Sequence, residues 1–341
     1  MFDFLPFFAV LVGFVVTFLL GFFVIPYLKK LKFGQTIREE GPKWHEGKSG
    51  TPTMGGIMIF GGLVVAIVLS LIFTFITSGK LSSEFENSTR TAHWIAAFGL
   101  AVGMGAIGFV DDFIKVVKKR NLGLTARQKT FAQLLVSATY LIVLLFSGMQ
   151  TTYIPFIGNV NVLSGVGLVF WPIALFFIYG FTNAVNLTDG IDGLASSVTL
   201  VACCAFMIIA GYSNFHGANM IAAAAAGACG GFIMWNAHPA KVFMGDTGSM
   251  MLGGLIVGIS FAIGRPILLI LVGIIYLIEA FSVMLQVAYF KKTKKRIFKM
   301  TPIHHHFEMC KWSEEKIVLV FSIVTLIGGM LAILPVVLGW L

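Results

Sequence analysis

The chain alternates between long apolar runs and short polar connections, and the runs have the length of membrane spans. Ten of them fall near residues 4–28, 53–77, 93–112, 130–149, 168–185, 194–212, 218–236, 247–264, 267–290 and 316–338. Each is close to the roughly 20 residues that a helix needs to cross hydrocarbon. The pattern predicts an all-α polytopic integral membrane protein of about ten transmembrane helices. Residues 1–341 then form a single transmembrane domain, because spans and connections leave no stretch for a separate soluble one. One connection departs from the pattern: residues 150–167 carry no charge and alternate like strands around Gly158-Asn159, predicting a small periplasmic β-hairpin near 151–163. Glycines inside the spans, such as Gly103, Gly105, Gly108, Gly253 and Gly254, suit close helix packing in lipid. No internal repeat is evident.

Composition agrees: 57% of residues are hydrophobic and 11% charged, against about 25% charged in soluble domains. The net charge of +9 says nothing about nucleic acid until Lys and Arg are placed by side. With the N-terminus outside, the loops 29–52, 113–129, 186–193, 237–246 and 291–315, with their helix ends, hold 21 of the 24 basic residues. Lys80, Arg90 and Arg265 are the exceptions. This bias makes those five loops cytoplasmic and both termini extracytoplasmic. Met1-Phe-Asp-Phe has no positive n-region, so the first run is a span and not a cleaved signal peptide. The four cysteines show no CxxC or disulfide-like spacing and are expected to be reduced packing residues.

Once the sides are assigned, the acids stand out. Asp111 and Asp112 end the third span, Asp189 and Asp192 lie in Asn186-Leu-Thr-Asp189-Gly-Ile-Asp192-Gly193, and Asp246 lies in Phe243-Met-Gly-Asp246-Thr-Gly-Ser249. All five are predicted at the cytoplasmic membrane face. Singly, Asp189, Asp192 and Asp246 could each cap the helix that follows. Together, like charges about 4 Å apart repel by about 4 kcal/mol at an effective dielectric of 20, so the group calls for a cation. Hard carboxylate oxygens beside phosphates suit Mg²⁺.

The last loop adds Pro302-Ile-His304-His305-His306-Phe307-Glu308 after a run of lysines that can anchor on anionic lipid. In an extended segment His304 and His306 share a face, so the three imidazoles cannot all bind one ion. Binding phosphate oxygens is the more economical role, since nothing nearby completes a zinc site. In the first loop, Lys43-Trp-His45-Glu-Gly-Lys48-Ser-Gly-Thr51-Pro-Thr53-Met-Gly55-Gly56 could hold a phosphate but is no Walker A motif. Asn236-Ala-His238-Pro239 offers an amide and an imidazole for a base or sugar. Glu279 stands alone near the middle of the ninth span, with Ser282 and Gln286 on its face. An acid there is a functional candidate by default, or a buried carboxyl bonded to another helix.

These stretches, taken in order, resemble the polyprenyl-phosphate N-acetylhexosamine-1-phosphate transferases. Gly50-Thr-Pro-Thr-Met-Gly-Gly56 and the unbroken triple histidine are similar to the branch whose donor carries a muramoyl pentapeptide. The resemblance implies UDP-N-acetylmuramoyl-pentapeptide and undecaprenyl phosphate as substrates, UMP as a product and Mg²⁺ as cofactor. It implies a bacterial cytoplasmic membrane enzyme with its site facing the cytoplasm, membrane lipid as a partner and no nucleic acid; a homodimer is compatible with it. It also implies roles: Asp246 as the Mg²⁺ ligand with Asp112 sharing it, and Asp111 as base on the lipid phosphate or, in an alternative two-step scheme, an aspartate as covalent nucleophile. Asn186, Asp189, Asp192, Asn236 and Phe243 would contact the nucleotide, and Lys115 and Lys119 would line its pocket. Lys48 and Thr53 would hold phosphate or lipid head group, and His304, His305 and His306 the diphosphate and leaving group. Exchange of one phosphoanhydride for another needs no ATP, and no ATP motif is present. The alternatives are a sibling transferase for UDP-N-acetylglucosamine and, in a different class, a transporter or flippase. A transporter would gather its ionisable groups at midplane, where only Glu279 lies.

Overall fold

The computed structural model describes residues 4–31, 50–78, 87–118, 122–154 and 157–339. Its helices follow the apolar runs: α1 (Leu5–Lys30), α2 (Gly56–Ser78), α3 (Ser88–Val117), α4 (Ala126–Phe146), α5 (Phe170–Thr188), α6 (Leu194–Tyr212), α7 (His216–Asn236) and α8 (Gly245–Ala262). Then come a short α9 (Leu269–Val272), α10 (Ile274–Thr293), α11 (Ile303–Met309) and α12 (Glu314–Val337). Among the described residues, nine helices are long and apolar enough to cross a membrane. The chain is an all-α multi-pass membrane protein. The remaining expected span is α8, which opens with the polar Gly-Asp-Thr-Gly-Ser and is buried at every position from Thr247 to Ala262. On the outer helices Phe7, Phe23, Phe75, Phe131, Phe146 and Leu319 point away from the protein, as a lipid-facing surface requires.

The predicted hairpin is present, with β1 (Thr151–Ile154) antiparallel to β2 (Gly158–Asn161) and Thr151 opposite Asn161. Trp171 Nε1 donates to Val162 O at 2.9 Å and ties it to the foot of α5.

Two spans differ from the sequence expectation. The third runs on to Val117 instead of ending at Asp112. Lys115 lies one turn beyond Asp111 and pairs with it at 2.6 Å, so the acids are ion-paired within the helix and do not terminate it. The ninth is broken at Gly273, where α9 ends and α10 begins. A Cβ at Gly273 would lie 2.2 Å from the Phe181 ring, so this break seats an aromatic side chain of α5.

Small residues set the tightest approaches. A Cβ on Gly227 would lie 2.1 Å from Val10 O, and one on Gly231 would lie 2.4 Å from Phe14 O, so α7 packs backbone to backbone on α1. Likewise a Cβ on Gly108 would lie 2.1 Å from Asp246 O, and one on Gly56 would lie 2.2 Å from Gly248 N. These contacts clamp the start of α8 between α2 and α3. The effect is to collect the last turns of α3, α5 and α7 and the first turns of α4, α6, α8 and α12 at one end of the bundle.

Candidate active site

Asp111 and Asp112 are buried on α3, and Asp246 sits in the first turn of α8. One carboxylate oxygen from each lies within 4.8 Å of the others. Each acid is held by a different set of groups. Asp111 Oδ1 accepts from Leu124 N–H at 2.8 Å. Asp112 Oδ2 accepts from both Thr247 N–H (2.9 Å) and Thr247 Oγ1 (2.7 Å), so it caps α8 from the neighbouring helix. Asp246 Oδ1 accepts from Asn186 Nδ2 at 2.9 Å, and that amide also donates to Ser249 Oγ at 2.8 Å. The remaining oxygens turn inward toward Lys115, whose Nζ is 2.6 Å from Asp111, 3.5 Å from Asp112 and 3.1 Å from Asp246. Lys129 of α4 adds a second ammonium 2.8 Å from Asp246 Oδ2. Two cations against three clustered carboxylates leave a negative excess, and the donors are hard oxygens of defined direction. The set fits a divalent cation of the hard class.

The loops around this cluster are shaped by glycine. Gly245 has φ +73°, and a Cβ there would lie 2.6 Å from Asp112 Oδ2 and 2.8 Å from Thr53 Oγ1. Thr53 is therefore brought to the edge of the carboxylate cluster. Its neighbours dock on the next loop: Phe243 N–H donates to Pro52 O, Gly55 N–H to Phe243 O and Gly56 N–H to Met244 O. Asp189 follows the last residue of α5. Burial first, then the charges of Asp246 and Asp112, pushes the Asp189 carboxyl up to about 8.

Asp192 belongs to a different group. Its Oδ2 lies 2.9 Å from His238 Nδ1 and accepts from Ala240 N–H at 3.0 Å, while its own N–H donates to Glu314 Oε2 at 3.0 Å. Asn236 is buried, with Oδ1 accepting from Gly193 N–H and Ser196 Oγ and Nδ2 donating to Val242 O, so its polar atoms join α6, α7 and the loop ahead of α8. Phe243 is half-buried on that same loop.

The triple histidine is not extended. It forms the seven-residue helix α11, with the His304 and His305 rings 4.1 Å apart between centroids and each histidine held by a different partner. His304 is fully buried, with Nδ1 3.0 Å from Glu279 Oε1. His305 Nδ1 lies 2.5 Å from Glu308 Oε2. His306 Nδ1 accepts from Lys299 N–H at 3.2 Å. Lys48, expected to hold phosphate or lipid head group, and Lys119, expected to line the nucleotide pocket, lie outside the described residues.

Lys129 is the site residue that motif reading passed over. Its signal was local: Thr125 and Gln128 form a capping box that starts α4, which puts Lys129 one turn into a helix beginning at the aspartate end. Thr247 and Ser249 were quoted only as part of a motif, and the structure gives each a hydrogen-bonding task.

Residues 94–264 match the sequence profile of glycosyl transferase family 4. Residues 48–60 match phospho-N-acetylmuramoyl-pentapeptide-transferase signature 1. Three similar proteins bear the name phospho-N-acetylmuramoyl-pentapeptide-transferase. The one from Listeria welshimeri is 46% identical over 328 residues, 96% of each chain. That from Caldicellulosiruptor bescii is 46% identical over 325 residues, 95% of each chain. That from Bacillus licheniformis is 45% identical over 327 residues, 96% of each chain. Likeness of this extent covers nearly the whole chain, and on it the chain belongs to the phospho-N-acetylmuramoyl-pentapeptide-transferase family, within glycosyl transferase family 4.

Proposed function

We propose that the chain transfers phospho-N-acetylmuramoyl-pentapeptide from its UDP-linked donor to undecaprenyl phosphate, giving lipid I and UMP for peptidoglycan synthesis. The enzyme sits in the bacterial cytoplasmic membrane with the carboxylate end of the bundle facing the cytoplasm. The observation that carries this is the convergence of Asp111, Asp112 and Asp246 on Lys115 and Lys129 at one end of a membrane bundle. A lipid nucleophile and a water-soluble nucleotide can meet only at such an edge.

In the reaction, an oxygen of the lipid phosphate attacks the sugar-bearing phosphorus of the donor. The bond from that phosphorus to the bridging oxygen breaks, and UMP leaves with the electron pair. Little covalent chemistry is asked of the protein, so positioning and charge neutralisation dominate. Lys115 and Lys129 place fixed positive charge where the phosphates meet. Asp246 and Asp112 would hold Mg²⁺, which when bound supplies further charge to the diphosphate oxygens. Asp111 accepts the proton of the lipid phosphate; a second phosphate pKa of about 6 leaves this duty modest at neutral pH. Asp189, Asp192 and Phe243 contact the nucleotide, Lys48 and Thr53 the acceptor's head group, and His305 and His306 the diphosphate.

The test is UMP release by purified protein in detergent, with both substrates and Mg²⁺. Asp246→Asn should lower kcat by about 100-fold or more and weaken Mg²⁺ binding. Full activity with unchanged Mg²⁺ affinity would remove Asp246 from the metal centre.

A further inference from the structure

We infer that Glu279, deep in α10, is a positioning residue for this transfer: through His304 it holds α11 in register with the Asn186–Gly193 turn. The inference rests on the transfer reaction proposed above. Glu279 and His304 are both fully buried and pair at 3.0 Å. A carboxyl within a span is costly and is kept where it pairs with another element. Here the partner belongs to a helix outside the membrane-spanning set, so the pair joins α10 to α11.

His304 touches more than Glu279. A Cβ on Gly190 would lie 2.2 Å from His304 Nε2 and 2.6 Å from Cε1, so the ring rests directly on the backbone between Asp189 and Asp192. Its centroid is also 4.1 Å from that of His305, which is set in turn against Glu308. One imidazole thus meets α10, the aspartate turn and the next histidine. Two turns along the same face of α10, Gln286 Oε1 accepts from Ile297 N–H (2.9 Å) and Phe298 N–H (3.1 Å). The segment leading into α11 is therefore fixed to α10 at two points, and Glu279 is the one that reaches the aspartate turn.

The buried edge of the ring explains why the acceptor matters. Nε2 makes no hydrogen bond among the described residues, nor does Glu279 Oε2, so the Nδ1 contact is the ring's polar anchor there. Without an acceptor, a buried Nδ1–H would be left unpaired and the ring would turn to find one. The contact with Gly190 would then loosen, and the two walls that Asp189 and His305 belong to would lose their spacing. A misplacement of about 1 Å can cost on the order of 100-fold in rate.

The full-length enzyme in detergent is assayed for UMP release, beside its thermal unfolding midpoint. Glu279→Met fills the same volume without an acceptor and should keep the midpoint, yet lower kcat about 100-fold with the donor KM changed by less than about threefold. Glu279→Gln keeps an acceptor for Nδ1–H and should restore kcat to within about threefold of the natural protein. The inference is overturned if Glu279→Met retains more than about a third of kcat, or if Glu279→Gln is as inactive as Glu279→Met. It is equally overturned if the loss in Glu279→Met follows loss of folded protein, which would make the pair purely structural. Failure of the natural enzyme to release UMP would sink the transfer reading itself, so the two failures are separable.

Discussion

At the scale of single residues, the site is a balance of charges set at different angles. Asp246 faces two ammonium groups, Asp112 spends one oxygen capping α8, and Asp111 spends one on Leu124 N–H. Lys129 contributes to this balance from a third helix, α4, and its removal by Lys129→Gln should lower kcat by about 100-fold, measured as UMP release, with the midpoint little changed. Thermal stability equal to the natural protein but undiminished kcat would free Lys129 of any part in catalysis. Asp189 offers a second check through pH. Burial and the nearby Asp246 and Asp112 raise its folded pKa to about 8, above the ordinary 3.8. The fold therefore favours the protonated carboxyl, and its contribution to stability is full below the unfolded value and is lost as pH rises through the folded one. Metal-free protein should lose thermal stability between about pH 4 and pH 8 more steeply than Asp189→Asn, which stays neutral throughout. Parallel melting curves for the two would contradict the shift.

At the scale of elements, helix approach decides where the acids stand. Gly108 lets α3 lie against the backbone of Asp246, at a place where a Cβ would be 2.1 Å from that carbonyl. The obstruction is backbone and cannot swing aside. Gly108→Ala should therefore destabilise the protein by about 1–3 kcal/mol through overpacking. It should also depress kcat by about 100-fold, because Asp246 moves relative to Asp111 and Asp112. Activity and melting behaviour like the natural protein's would show that α3 and α8 can part without disturbing the site. The same logic explains the Gly55-Gly56 pair, which sequence inspection grouped with phosphate binding. Those glycines let the chain leading into α2 pack on the Phe243–Gly248 stretch, and Thr53 comes to the edge of the carboxylates.

At the scale of the whole molecule, the bundle puts its chemistry at one end and leaves α8 as an apolar pillar inside. The core is packed from apolar side chains, so chelation should abolish UMP release, and added Mg²⁺ should restore it without refolding. Irreversible unfolding by chelator would instead make the metal a structural element. The sidedness has its own test. With the native cysteines replaced by alanine, Leu163→Cys beside the hairpin should react with an impermeant maleimide in spheroplasts. Lys295→Cys, in the basic segment after α10, should react only after the membrane is opened. The reverse pattern would invert the orientation assigned from the Lys and Arg bias.

The spans, the hairpin and the all-α class were legible in the chain because hydrocarbon imposes length and apolarity residue by residue, a local constraint that leaves a local trace. The motifs that hold the carboxylates were legible too, since their acids, glycines and hydroxyls lie within a few positions of one another. Which acids meet was not. Asp111, Asp112 and Asp246 converge while Asp192 turns to His238 and Glu314, and nothing in the spacing separates them. That choice follows from how closely α3, α5 and α8 approach, which depends on glycines facing backbone many residues away. Glu279 makes the same point: in sequence it is an isolated acid in a span, and only the fold of α11 back onto α10 supplies His304 as its partner. Membrane solvation is written along the chain, whereas the meeting of charges is a property of packed helices.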